Sequence, residues 1–254
     1  MTDQTGLPRR EFLKRSGLAA AMLLQPDFLR QVRGAEAGRF SARPHKPTGA
    51  LVAGEETLDV QEGRRSILFV PSHYVATTPV PFMLALHGAT GSGESMLRNS
   101  RAAAELHGVV VLAPSSVGGT WDAIRGGFGD DLTRIDRMMN SVFDRCAIDP
   151  SRVAIAGFSD GATYAVSSGL MNGDLFTHVI AHSPGFIIPG TRHGRPKVFL
   201  SHGRQDDILP IDRCGRRIAT ELRRDGYSLR FDEFDGGHVA TPEMRETAMG
   251  WFTG

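Results

Sequence analysis

Only two cysteines, two tryptophans and three tyrosines occur in the 254 residues, and aromatics total 7%. So little cysteine excludes a disulfide-built scaffold, and Cys146 and Cys214 lack the close pairing or histidine neighbours of a zinc site. They are read as two packed thiols rather than a bridge, because spacing alone cannot supply disulfide geometry. Internal repeats and low-complexity tracts are also missing, which argues against solenoid and array architectures. Nor is there an excess of charge: the net value is +1, and since residues 1–37 carry six Lys or Arg against four Asp or Glu, the remainder stands at −1. That balance leaves no electrostatic reason to expect nucleic acid. What is present is a 41% hydrophobic share, enough for one sizeable core in a single domain.

The N-terminus has a different character. Arg9-Arg10 precede Glu11-Phe12-Leu13-Lys14, and the apolar run Gly17 to Leu24 is too short to cross a bilayer, so stable membrane insertion is not expected. A basic start, a short apolar middle and the small-x-small box Ala35-Glu36-Ala37 together resemble a twin-arginine signal, with cleavage after Ala37. The resemblance implies recognition by the twin-arginine export machinery and a periplasmic or secreted mature protein. Residues 38–48, Pro-rich and basic without apolar periodicity, read as an extended lead-in, and residues 49–254 as the folded domain.

Within that domain, β-branched or apolar runs at Ser66 to Val70, Phe82 to Leu86, Val109 to Ala113, Val153 to Ala156, His178 to Ala181, Val198 to Leu200 and Leu229 to Phe234 predict strands. Helical spacing falls between many of them, at Glu94 to His107, Asp131 to Phe143, Gly161 to Met171, Asp212 to Arg224 and Thr241 to Phe252. Such alternation predicts an α/β fold with a mostly parallel central sheet flanked by helices and chemistry at the carboxyl ends of the strands. Pro184 to Pro196 leaves room for a loop but not for a large cap domain.

Gly157-Phe158-Ser159-Asp160-Gly161 matches G-x-S-x-G directly after a predicted strand and before a predicted helix. A sharp strand-to-helix turn crowds its own backbone, so small flanking residues are required, and the serine is lifted to the edge of the sheet. A turn of this kind belongs to a chain order of nucleophile, acid, histidine. His238, in Asp235-Gly236-Gly237-His238, is the only histidine beyond His202 and becomes the candidate base. Asp206 and Asp207 compete for the acid, since two ionised carboxylates at one spot would repel each other. Asp206 is preferred, which leaves Asp207 to face solvent or cap the following helix. Candidate oxyanion donors are the amides of Asp160 and of Ala89 in Leu86-His87-Gly88-Ala89-Thr90-Gly91, with Thr90 as the alternative to Ala89. His87 precedes the nucleophile and is assigned a structural role.

Leu86-His87-Gly88, Asp149-Pro150-Ser151-Arg152-Val153 leading into the elbow, His202-Gly203 through Asp206, and Gly237-His238 together resemble the phospholipase/carboxylesterase and poly(3-hydroxybutyrate) depolymerase-like branch of the α/β hydrolases. The resemblance runs from about Gly49 to the C-terminus. It implies Ser159 as nucleophile, Asp206 as acid, His238 as base, the Ala89 and Asp160 amides as oxyanion hole, and a small-molecule or polymeric ester as substrate, with neither metal nor organic cofactor. Trp121-Asp122 resembles the segment in which an aromatic lines the pocket; core packing is the other role open to Trp121. Thr90, Trp121, Phe186 and Ile208 are the candidates for lining the cleft. Asp160 and Ala162 depart from the family's usual residues, and a carboxylate beside the nucleophile would disfavour anionic substrates. A serine peptidase of the same fold and a catalytically silent binding domain are the competing expectations.

Overall fold

The computed structural model describes residues 38–254. The signal segment and cleavage site expected at 1–37 lie outside the described residues. Eight strands, β1 (Gly54–Gln61), β2 (Arg64–Val70), β3 (Val80–Leu86), β4 (Val110–Ala113), β5 (Ile148–Phe158), β6 (His178–His182), β7 (Lys197–Gly203) and β8 (Leu229–Phe234), form one sheet in the order β1-β2-β4-β3-β5-β6-β7-β8. β1 pairs antiparallel with β2, and β2 antiparallel with β4; every other pairing is parallel. The central strands are unbroken apolar runs because both faces are covered, as parallel sheets require.

Among the described residues six helices supply that cover: α1 (Gly93–His107), α2 (Asp122–Arg125), α3 (Asp130–Phe143), α4 (Asp160–Met171), α5 (Gly215–Arg224) and α6 (Pro242–Thr253). Successive residues of a strand face opposite ways, and two cores follow. Leu84, Leu86 and Ile155 join Ile135, Met139, Tyr164 and Ile218 from α3, α4 and α5. Met83, Ala85 and Ala154 join Met96, Leu97, Met249 and Phe252 from α1 and α6. α1 begins at a Ser92–Ser95 capping box and stops at Gly108, whose φ of 66° makes the left-handed turn that glycine tolerates. Thr241 caps α6, with Pro242 in its first turn.

Residues 38–48 contain no regular element and are packed against the domain. Phe40 is buried edge-on to Phe176, Asn172 accepts from the Phe40 amide (2.8 Å) and donates to the Gly38 carbonyl (2.7 Å), and Asp136 accepts from the amides of Ser41 and Ala42. Arg39 and Arg43 share the carboxylate of Asp174. The packed fold therefore starts before Gly49, where composition alone placed it. β1 also escaped the sequence pattern, because Gly54–Gln61 is a mostly exposed edge strand whose acidic residues interrupt apolar alternation. Cys146 and Cys214 are free and buried. Between β6 and β7 the chain forms a loop with no helix, so no cap domain is inserted there.

Candidate active site

β5 runs into α4 through Ser159, which adopts φ 57° and ψ −119°. Such a backbone is costly for a side-chain-bearing residue and persists only when its surroundings enforce it. The enforcement is steric. A Cβ on Gly157 would lie 2.2 Å from the Gly161 carbonyl oxygen, and one on Gly161 would lie 2.3 Å from that of Leu86. The Ser159 amide donates to the His182 carbonyl (2.9 Å), which fixes the turn to the neighbouring strand.

His238 follows β8 on the loop that precedes α6. Its Nε2 lies 2.9 Å from Ser159 Oγ and its Nδ1 lies 2.7 Å from Asp206 Oδ2. Asp206 comes from the loop after β7, where Oδ1 accepts from the amides of Ile208 (3.0 Å) and Leu209 (2.8 Å). Burial by itself would raise the Asp206 pKa, but hydrogen bonds from His202 and His238 outweigh it and hold the carboxyl well below the usual carboxylate range. Asp207 has its side chain at the surface. The structure thus brings Ser159, His238 and Asp206 into one hydrogen-bonded line, and it leaves Asp207 out.

The loop after β3 lies against this line: a Cβ on Gly88 would sit 3.3 Å from that of Ser159. The Thr90 amide is already committed to the Gly119 carbonyl (2.6 Å). Among the described residues the amides of Ala89 and Asp160 meet no acceptor, and the Asp160 amide belongs to the first turn of α4, where helical N–H groups point outward unpaired. His87 is buried, with Nδ1 donating to the Gly88 carbonyl (2.7 Å) and Nε2 accepting from the Ser116 amide (3.0 Å). Burial lowers its pKa to about 4, so the ring is neutral and shapes the loop.

Of the residues expected to line the cleft, Trp121 requires a correction. It is fully buried, donates from Nε1 to the His87 carbonyl (2.8 Å) and stacks on the His87 ring; it braces the loop from within the core and presents no surface to a ligand. Phe186 is buried in the same core, while Thr90 and Ile208 are half-buried. The Asp160 carboxylate accepts from Thr120 Oγ1 (2.6 Å), and its burial raises its pKa against that bond and the nearby His238. Two contacts to the line were not singled out from sequence. The Phe158 ring packs on the His238 ring with centroids 4.8 Å apart. His202, wholly buried at the end of β7, shares Nε2 between the Leu209 carbonyl (2.7 Å) and Asp206 Oδ2 (3.3 Å). Its position four residues before Asp206, at the end of a buried strand, is the available signal.

No group of three or more His, Cys, Asp or Glu suited to a metal occurs among the described residues, and none of their helices is long and apolar enough to cross a membrane.

Residues 123–248 match the model of the phospholipase/carboxylesterase family. The chain is a carboxylic ester hydrolase of the α/β-hydrolase fold. A protein of Aspergillus oryzae named "Probable feruloyl esterase C" is 28% identical over 89% of this chain and 91% of its own length. The feruloyl esterase C of Emericella nidulans is 23% identical over 71% of this chain and 78% of its own length. Among solved structures, an S-formylglutathione hydrolase of Staphylococcus aureus superposes with a TM-score of 0.61 at 16% identity, covering 79% of this chain and 99% of that one. A ferulic acid esterase of Anaeromyces mucronatus, solved with ferulic acid, gives 0.57 at 16% identity over 82% and 93%. At those identities the structural likeness speaks to the fold alone.

Proposed function

We propose that this α/β hydrolase cleaves carboxylic esters through an acyl-enzyme, with Ser159 as nucleophile, His238 as base and Asp206 as acid. The supporting observation is the continuous line from Ser159 Oγ through the His238 imidazole to Asp206 at a strained strand-to-helix turn. His238 Nε2 takes the hydroxyl proton as Oγ attacks the ester carbonyl. Asp206 holds the Nδ1–H tautomer and stabilises the imidazolium. The amides of Ala89 and Asp160 receive the oxyanion. The imidazolium then protonates the departing alcohol, and water repeats the sequence to release the acid.

Esters of hydroxycinnamic acids are the first substrates to test, since relatives that span most of the chain are named feruloyl esterases. Residues 1–37 serve as a twin-arginine signal, so the enzyme works in the periplasm or outside the cell. Methyl ferulate and a series of p-nitrophenyl acyl esters, assayed with the native protein and Ser159→Ala, test the activity; fluorophosphonate labelling tests the nucleophile. Turnover of neither ester class, with no labelling of folded protein, would defeat the proposal.

A further inference from the structure

Behind the strand that holds the Ser159 turn, on the sheet face covered by α1 and α6, lies a small cavity of about 20 Å³ lined by Met83, Met96, Ser100, His182, Arg245 and Met249 among others. One water-sized occupant needs roughly 10–15 Å³ on this measure. Arg245 contributes a cation that no carboxylate compensates. Its Nε donates to the Ala240 carbonyl (3.2 Å), Nη1 touches the Met96 sulfur (3.9 Å), and no ion pair to it occurs among the described residues. The other N–H groups of the guanidinium meet no protein acceptor among the described residues. Burial alone depresses its pKa, to about 10, with no opposing carboxylate contribution.

His182 complements it. Nδ1 pairs with Ser201 Oγ (2.7 Å), and burial lowers its pKa to about 3, so the ring is neutral. When the Ser201 hydroxyl donates to Nδ1, Nε2 carries the hydrogen and supplies a second donor on a side chain that lines the cavity. Ser100 Oγ is turned away to the Met96 carbonyl (3.0 Å). The walls therefore offer N–H donors and polarisable sulfur but no carboxylate, and the half-buried Arg245 cation lines them with no compensating anion among the described residues.

We propose that this cavity binds a single small monovalent anion of the size of chloride or bromide, held by the Arg245 guanidinium and His182 Nε2–H. The location gives the ion a structural consequence. His182 accepts the Ser159 amide through its carbonyl, and Arg245 binds the carbonyl of Ala240, two residues beyond His238. An ion between them ties the loop of His238 to the strand that fixes Ser159. The site does not depend on which ester is cleaved.

The test uses the full-length protein exchanged into gluconate and titrated with chloride at constant ionic strength. At about ten times its dissociation constant a ligand specific to the folded state should raise Tm by about 3 °C in a protein of this size. The rise is expected to saturate, to be reproduced by bromide and to vanish in Arg245→Met. Should that variant not fold, bromide-soaked crystals of the native protein decide, with an anomalous peak in the cavity beside the guanidinium as the expected result. Equal Tm in gluconate and chloride, an undiminished rise in folded Arg245→Met, or a cavity holding only water in the bromide crystals would each overturn the proposal.

Discussion

Replacing Asp206 with Asn removes one charge and almost no volume, so its effect isolates what the carboxylate does. All its acceptor capacity is in use: Oδ1 takes two backbone amides, and Oδ2 takes His238 Nδ1 and His202 Nε2. An amide has one acceptor oxygen and one donor nitrogen. If the oxygen keeps the Ile208 and Leu209 amides, the NH2 group faces His202 and His238. His238 must then accept through Nδ1 and carry its hydrogen on Nε2, where it cannot receive the Ser159 proton. The flipped amide would set NH2 against two backbone N–H groups, so it offers no escape. A wrong-tautomer substitution of this kind lowers turnover about 10⁴-fold, as known in another triad hydrolase, equivalent to roughly 5.5 kcal/mol of barrier. Turnover of p-nitrophenyl acetate, measured beside Tm and far-UV circular dichroism, checks it. Asp207→Asn, with its side chain at the surface, should change turnover less than twofold. A folded Asp206→Asn protein that keeps a tenth of native turnover would refute the proposed roles of both Asp206 and His238.

Stability against acid should follow the same carboxylate. Its folded pKa lies below the unfolded value of about 3.9, so it stabilises the fold above that value and the contribution is lost as pH falls through the folded pKa; Tm measured from pH 5 down to pH 2 should fall more steeply for the native protein than for Asp206→Asn. Gly161→Ala places a methyl 2.3 Å from the Leu86 carbonyl and should destabilise by about 2 kcal/mol or more, read as a lower urea midpoint; an unchanged midpoint would mean the turn is not sterically enforced. His202→Asn should lower kcat roughly tenfold with KM little changed, because His202 positions Asp206 without reaching substrate; a loss confined to KM would count against that role. Phe40→Ala should cost about 3 kcal/mol and lower Tm by several degrees, since Phe40 packs the lead-in onto Phe176.

The parts legible in the sequence share a physical reason. β3, β4 and β6 are buried on both faces, so their composition announces them whatever their neighbours are. The Ser159 turn announces itself because Gly157 and Gly161 answer to local sterics. His238 is singled out by elimination, since chain order restricts where the proposed base can stand. What stayed hidden depends on partners distant in sequence. Nothing local distinguishes a Trp121 that braces His87 from one that faces a ligand, because the difference lies in what fills the space around the indole. The packing of Phe40 depends on Asn172 and Phe176, more than a hundred residues away. Edge strand β1 has too few buried positions to impose an apolar period.

Repulsion allows only one of Asp206 and Asp207 to face His238, and the pairing of β7 with β8 supplies a geometric reason to propose Asp206. The parallel register brings Gly203 opposite Phe234, and beyond the ladder the Arg204 and Gln205 amides donate to the carbonyls of Phe234 and Gly236. The two loops are thereby stitched to each other before either side chain is considered. Gly203 permits that approach, since a Cβ there would lie 2.3 Å from the carbonyl oxygens of Gly236 and Gly237. With the backbone so fixed, Asp206 Oδ1 meets the amides of its own turn and Oδ2 is left to reach His238, while the side chain of Asp207 lies at the surface. A one-residue slip between β7 and β8 would separate acid from base even with every site residue intact. Alignment of the proposed acid and base is therefore set by the register of an edge strand, and substitutions that loosen β8 should reduce turnover before they unfold the central sheet.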